Sequence, residues 1–327
     1  MFLVSKYFRG PTVESFHIGF AIAVDESGDL LFAAGEPDYP IFIRSTAKPF
    51  QTAAILESGA AEKFNLNDEE IAVMCSSHSG ESYHVDTVNA ILKKIDANLD
   101  QLACGIHPPL DRQSYEQLVL QGRRPTALHH ICSGEHAGML AMAKALGIDP
   151  TNYHQPNHPL QLRIFDKIKH YAGRDKIPMA IDNCNAPTYF LPLKNLALMY
   201  KQLVSNEDDN LRRIYHAMSL HPRMVSGRNR FDTDFITHMS GRGVAKIGSE
   251  GVRGLGIRTE EGKSVGIAIK VQSGNPEACD SMTIVVLKHL HLIDDEMVKK
   301  LEAYHSPSIK SSTDIEVGKI QTEIVTD

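Results

Sequence analysis

The stretch "RSTAKPFQTAAILESG", residues 44–59, decides how the chain is read. Phe50, Ala53, Ala54 and Ile55 recur with a helical period and Gly59 ends the run, so the spacing predicts a helix over 46–59. Pro49 lacks an N–H and is tolerated only in a first turn, which sets the helix start near Ser45. Ser45 and Lys48, three residues apart, then share one face beside the helix N-terminus. The positive end of the helix dipole and partial desolvation lower a lysine's pKa there. A neutral Lys48 would accept the proton of Ser45 and make it a nucleophile. A capping serine beside a solvated lysine shows the same pattern, so the S-x-x-K needs supporting groups elsewhere.

Two such groups follow in the chain. "CSSHSGESYH" (75–84) is a serine-rich turn between helices. Ser77 is its candidate proton-shuttling hydroxyl, and His78, Glu81 and His84 would orient a substrate; a plain helix connection capped by Ser79 or Ser82 is the structural alternative. "AKIGSEG" (245–251) places a K-x-G-S on a strand. Glycine there lets a ligand lie close along the strand edge, and Lys246 would point toward a substrate carboxylate or toward Ser77. The alternative is an edge lysine that discourages aggregation. The order S-x-x-K, serine-bearing loop, K-x-G is that of the serine β-lactamases and penicillin-binding proteins.

A further element is built on cysteine. "HHICSGEHAGML" (129–140) puts Cys132 just before a helix with Glu135 and His136 in its first turn. "AIDNCNAPTYF" (180–190) reads as a strand end running into a turn at Cys184. Two thiols with Glu135 or His136 would suit zinc, although the spacing matches no closed structural zinc motif and buried inert cysteines look alike in sequence.

The bulk properties set the frame. The chain has 327 residues, 42% of them hydrophobic, with a net charge of −6, which supplies a core but no nucleic-acid footprint. Five cysteines do not make a secreted disulfide framework, and no apolar run is long enough for a signal peptide or a membrane span. The expected location is cytoplasmic. Strands are expected at 17–35, 243–259 and 263–274, and helices at 67–76, 82–95, 134–147, 158–173, 193–205, 210–221 and 276–293. This order implies an α+β single domain over 1–327. Its sheet lobe comes from both chain ends, about 1–60 and 235–327. A helical lobe, about 61–234, is inserted between them, with a cleft at the junction.

With these residues in view, the sequence resembles the Rhizobium etli-type, or class 3, L-asparaginases. The resemblance is carried by "VESFHIGFAIAVDESGDLL", "FIRSTAKPFQ", "CSSHSGESYH", "CGIHPP", "CSGEHAGML", "HPLQ", "DNCNAPTYFLPL", "HPRMVSGR" and "AKIGSEGV". It implies a serine β-lactamase-like fold, hydrolysis of L-asparagine to L-aspartate and ammonia, and a homodimer. It also implies two Ser–Lys tandems, Ser45 with Lys48 and Ser77 with Lys246, with Lys270 as the alternative second lysine. A zinc ion held by two cysteines and a lysine is implied as well. The cysteines fall on Cys132 and Cys184, but Glu135 stands where that family has the lysine. Arg44, His78, Glu81 and Asp182 are the candidate anchors for a zwitterionic substrate. Rival readings are another serine amidohydrolase of this fold, a glutaminase or peptidase, and a non-catalytic ligand-binding relative disabled by Glu135.

Overall fold

The computed structural model describes residues 1–326. Its strands are β1 (Phe2–Arg9), β2 (Thr12–Val24), β3 (Leu30–Ala34), β4 (Pro40–Phe42), β5 (Met179–Ile181), β6 (Pro187–Pro192), β7 (Gly243–Gly248), β8 (Val252–Arg258), β9 (Ser264–Val271), β10 (Ser308–Lys310) and β11 (Glu316–Val325). The main sheet runs β10-β11-β1-β2-β9-β8-β7, with β3 also paired to β2. It is therefore assembled from both ends of the chain around a helical insertion, as the element order predicts.

The outer strands β1 and β11 were not among the expected ones. "FLVSKYFR" and "EVGKIQTEIV" mix polar and apolar residues without a clean period. They become strands by pairing antiparallel with each other, from Phe2 opposite Val325 to Arg9 opposite Gly318. The β2–β3 hairpin was legible. The Asp25 carboxylate accepts the N–H groups of Ser27 and Asp29, both at 2.9 Å, and Gly28 takes the left-handed conformation that the turn demands.

Two helices sandwich the sheet. A Cβ on Gly266 would lie 2.0 Å from Ala197 O, in the helix Leu193–Val204. A Cβ on Gly19 would lie 2.2 Å from Met282 Sδ, in the helix Pro276–His289. Gly19 sits opposite Val271, an odd number of residues from Gly266, so the two helices cover opposite faces. The helix Leu193–Val204 thus belongs to the sheet layer although it falls inside the middle segment of the chain.

The remaining helices keep the expected ranges because their caps are local. Asn67 and Glu70 form a reciprocal capping box ahead of Asp68–Met74. Pro159 opens Pro159–Ala172, and Gly173 closes it in the left-handed region. The helices Arg112–Leu120 and Phe231–Met239 carry weaker patterns and were not anticipated.

A small second sheet, β4-β6-β5, positions the site. Phe42 pairs with Phe190 and Ile181 with Pro187, which carries the Cys184 turn to the entrance of the Ser45 helix. Among the described residues no helix is long and apolar enough to cross a membrane. All five cysteines are free and buried.

Candidate active site

Ser45 lies in a short 3-10 turn, Arg44–Ala47, that runs directly into the helix Lys48–Glu57. Arg44 adopts φ 50°, a left-handed conformation that is costly for a non-glycine residue and that turns the chain from β4 into the helix. The end of β7 approaches the same turn. A Cβ on Gly248 would come within 3.1 Å of Ile43 O and 3.3 Å of Arg44 Cβ, so the K-x-G glycine lets β7, which carries Lys246, pack against the turn that holds Ser45.

The two lysines differ sharply. Lys48 is buried, donates to Ser76 O at 2.6 Å and lies 3.3 Å from Glu135 Oε2. Burial pushes its pKa down, but Cys132, Glu135 and Cys184 pull it up more strongly, so its pKa rises above the ordinary lysine value. The expected neutral Lys48 is therefore corrected: the Cys132 thiolate first, and Glu135 as it ionises, hold the ammonium charged. Among the described residues no hydrogen bond involves Ser45 Oγ, so Lys48 is not set as its base.

Lys246 has the opposite environment. It is fully buried and donates to Ser77 Oγ at 2.7 Å and to Ile247 O at 2.6 Å. Burial first, then the charge of Lys48, push its pKa down to about 7, so near neutral pH much of it is an unprotonated amine. The Ser77 backbone N–H is tied to Val225 O at 3.1 Å, which fixes its hydroxyl against this amine. The alternative lysine, Lys270, instead donates to Glu250 O from β9.

Cys132, Glu135 and Cys184 offer ligand atoms that all lie within 4.8 Å of one another. Cys132 precedes the helix Ser133–Leu146, whose N-terminus favours a thiolate. A hydrogen bond from Cys184, with Lys48 and His130 nearby, drives the Cys132 pKa well down, and Cys184 is raised in turn. Burial raises Glu135 to about 7, although Lys48 opposes the rise. Two or three acids thus share one ammonium, and Glu135 Oε2 accepts no hydrogen bond. Tetrahedral zinc spaces its ligands about 3–4 Å apart, so this anion-rich set fits a divalent ion after a small closure. His136 lies outside this group; its Nδ1 pairs with Tyr153 OH at 2.7 Å and its Nε2 has no hydrogen-bond partner among the described residues.

Arg44 and Asp182 form a two-pronged ion pair, Nε to Oδ2 at 2.9 Å and Nη2 to Oδ1 at 2.7 Å. Together with Ser45, Lys48, Gln51, Glu135 and Cys184 they line a cavity of about 10 Å³, room for about one water. Sequence reading missed Gln51, which the i, i+3 spacing from Lys48 on one helix face makes findable. It also missed the carbonyl of Ser76, which no side-chain pattern marks.

His78 and Glu81 are placed elsewhere. His78 accepts from Gly80 N–H at its Nδ1, contacts Ser133 Oγ through Nε2 at 2.8 Å and stacks on His84. Glu81 accepts from Tyr83 OH and from the backbone N–H of Arg228, and pairs with the Arg228 guanidinium at 3.0 Å. Both hold the loop around Ser77 and the 226–228 turn, and neither lines the cavity. A larger surface cavity of about 660 Å³, lined in part by Arg242, His291 and Lys300, has no serine–lysine pair.

The sequence profile of the L-asparaginase II family matches residues 6–322, nearly the whole chain. The chain belongs to the L-asparaginase II family. Membership supports amidohydrolase chemistry. No curated protein matches the sequence. Similar solved structures include a β-lactamase from Sphaerobacter thermophilus, with TM-score 0.44 and 14% identity over 85% of this chain and 92% of that one. Mglu in its glutamate form has TM-score 0.35 and 14% identity over 84% of this chain and 62% of that one. Simvastatin synthase (LovD) from Aspergillus terreus has TM-score 0.35 and 13% identity over 88% and 94%.

Proposed function

We propose that this member of the L-asparaginase II family hydrolyses L-asparagine to L-aspartate and ammonia through a serine acyl-enzyme. The observation that carries the reading is the buried Ser77–Lys246 pair, 2.7 Å apart, with the amine poised near pH 7 and the strand that carries it packed against the turn that holds Ser45. Ser45 Oγ attacks the side-chain carboxamide carbon. Its proton passes through Ser77 to Lys246, and the same route returns a proton to the departing ammonia. Water then attacks the acyl ester; Lys246 accepts its proton and returns it through Ser77 to Ser45 Oγ as the acyl C–O bond breaks and aspartate leaves. The N–H groups at the helix start favour the developing oxyanion, and Lys48, charged in the metal-free site, adds to this.

The Arg44–Asp182 pair supports an α-amino acid substrate. Each partner can exchange the other for the substrate's carboxylate or ammonium. Because the cavity is small, this exchange would also open its mouth. Cys132, Glu135 and Cys184 would hold zinc, whose charge, when it is bound, would offset the acids there. We include a homodimer and a cytoplasmic location in the proposal; five free thiols suit a reducing compartment.

The test is ammonia release from L-asparagine, L-glutamine and their D-isomers, with and without added zinc, in wild-type protein and in Ser45→Ala. Light scattering reports the assembly. Release from glutamine alone would move the reading to a glutaminase. No release from any amide by folded, zinc-treated protein would end it.

A further inference from the structure

We propose that Asp232 is a positioning residue for Lys246, setting the direction of its amine and the pH at which it becomes a base; this rests on the proposed role of Lys246. The helix Phe231–Met239 lies along β7, the edge strand of the main sheet. From its first turn, Asp232 Oδ2 accepts the backbone N–H of Ile247 at 2.7 Å. That is the residue next to Lys246, and its carbonyl receives the Lys246 ammonium hydrogen at 2.6 Å. One side chain thus fixes the edge residue whose carbonyl helps aim Lys246 at Ser77.

The carboxylate is itself held from behind. Arg253, opposite Ile247 on β8, donates Nε to Asp232 Oδ1 at 3.2 Å, Nη2 to Asp280 Oδ1 at 2.7 Å and Nη1 to Thr283 Oγ1 at 3.1 Å. Its guanidinium also lies 4.1 Å from the centre of the Phe231 ring. Arg253 and Asp232 are both buried. A guanidinium, two carboxylates and a hydroxyl deep in the sheet are costly to bury for stability alone, since apolar side chains of the same volume serve a core as well or better. The network leads from the helix Pro276–His289 through Arg253 and Asp232 to the peptide that carries the base, which gives the burial a purpose.

Charge strengthens the argument. The groups facing Lys246 are Lys48 from the Ser45 helix, Cys75 at the end of Asp68–Met74, Cys132 ahead of Ser133–Leu146, and Arg230 and Asp232 at the start of Phe231–Met239. Lys48 and Arg230 oppose a second positive charge; Asp232 favours it, ahead of Cys132. Removing the Asp232 charge leaves Lys246 neutral to lower pH.

The test uses Asp232→Asn, which keeps an acceptor for Ile247 N–H and removes the charge. Circular dichroism establishes folding, and Asp232→Ser serves as the second charge-free variant. The side-chain Cε resonance of Lys246, assigned with Lys246→Arg, is titrated by NMR in parallel with the pH profile of kcat/KM. In the charge-free variants both midpoints are expected to fall by about one to two pH units, the scale of one charge about 6–12 Å away at an effective dielectric near 20. A resonance midpoint that does not move, with activity reduced equally at all pH values, makes Asp232 structural and overturns the proposal. Failure of both variants to fold does the same. An active Lys246→Arg enzyme would instead overturn the base role of Lys246, while the NMR midpoint still decides the effect of Asp232.

Discussion

Replacing Glu135 by glutamine tests the charge balance of the site most directly. Glu135 sits 3.3 Å from Lys48, and both side chains are buried. Such a pair suggests a stabilising salt bridge, yet burial and the Cys132 thiolate raise the Glu135 carboxyl to about 7 from 4.5. A folded-state pKa above the unfolded one means that the native protein binds this proton more tightly. The resulting stability is complete below about pH 4.5 and is lost as pH rises through about 7. The gap of about 2.5 units corresponds to about 3 kcal/mol. Glutamine cannot ionise, and Lys48 keeps the thiolate and the Ser76 carbonyl as partners. In chelator-treated protein, Glu135→Gln should therefore match wild type within about 1 kcal/mol near pH 4.5. Near pH 8 it should be more stable by up to about 3 kcal/mol. Urea unfolding of both proteins at several pH values measures the difference, in which the titrations of His78, His84, His136 and Lys246 cancel. A variant less stable near pH 8 by the roughly 3–5 kcal/mol typical of a half-broken buried ion pair would refute the reasoning.

The other predictions concern catalysis and the loops. Ser45→Ala should lose ammonia release while its unfolding free energy changes by less than about 1 kcal/mol, because no hydrogen bond among the described residues uses that hydroxyl. The rate should rise with pH through about 7 and then level off, as Lys246 sheds its proton; a limb only near pH 10 would assign the base elsewhere. Arg44→Lys keeps the charge but loses the two-pronged grip on Asp182, so KM for asparagine should rise about tenfold or more with a smaller change in kcat. Gly227→Ala should cost about 1–3 kcal/mol in urea unfolding, since φ is +124° and the added Cβ would lie 2.5 Å from Ser79 Oγ and 2.8 Å from Glu81 Oε1.

The sequence by itself determined what is local. Helix boundaries followed from the Asn67–Glu70 box, Pro159 and Gly173, because caps act within one turn. The serine and lysine motifs marked Ser45, Lys48, Ser77 and Lys246, and the order of strands and helices anticipated a sheet from both chain ends. Only the tertiary structure decided what depends on distant neighbours. β1 and β11 are strands because each supplies the other's hydrogen bonds from opposite ends of the chain. His78 and Glu81, polar and close to Ser77 in sequence, are turned inward to hold loops. The charges of the two lysines were the least legible property. Lys48 and Lys246 are both buried, yet one is held protonated by Cys132, Glu135 and Cys184 while the other is pushed toward neutrality by burial and by Lys48 itself. A lysine's pKa in an interior is set by the charges packed around it, and packing is a property of the fold.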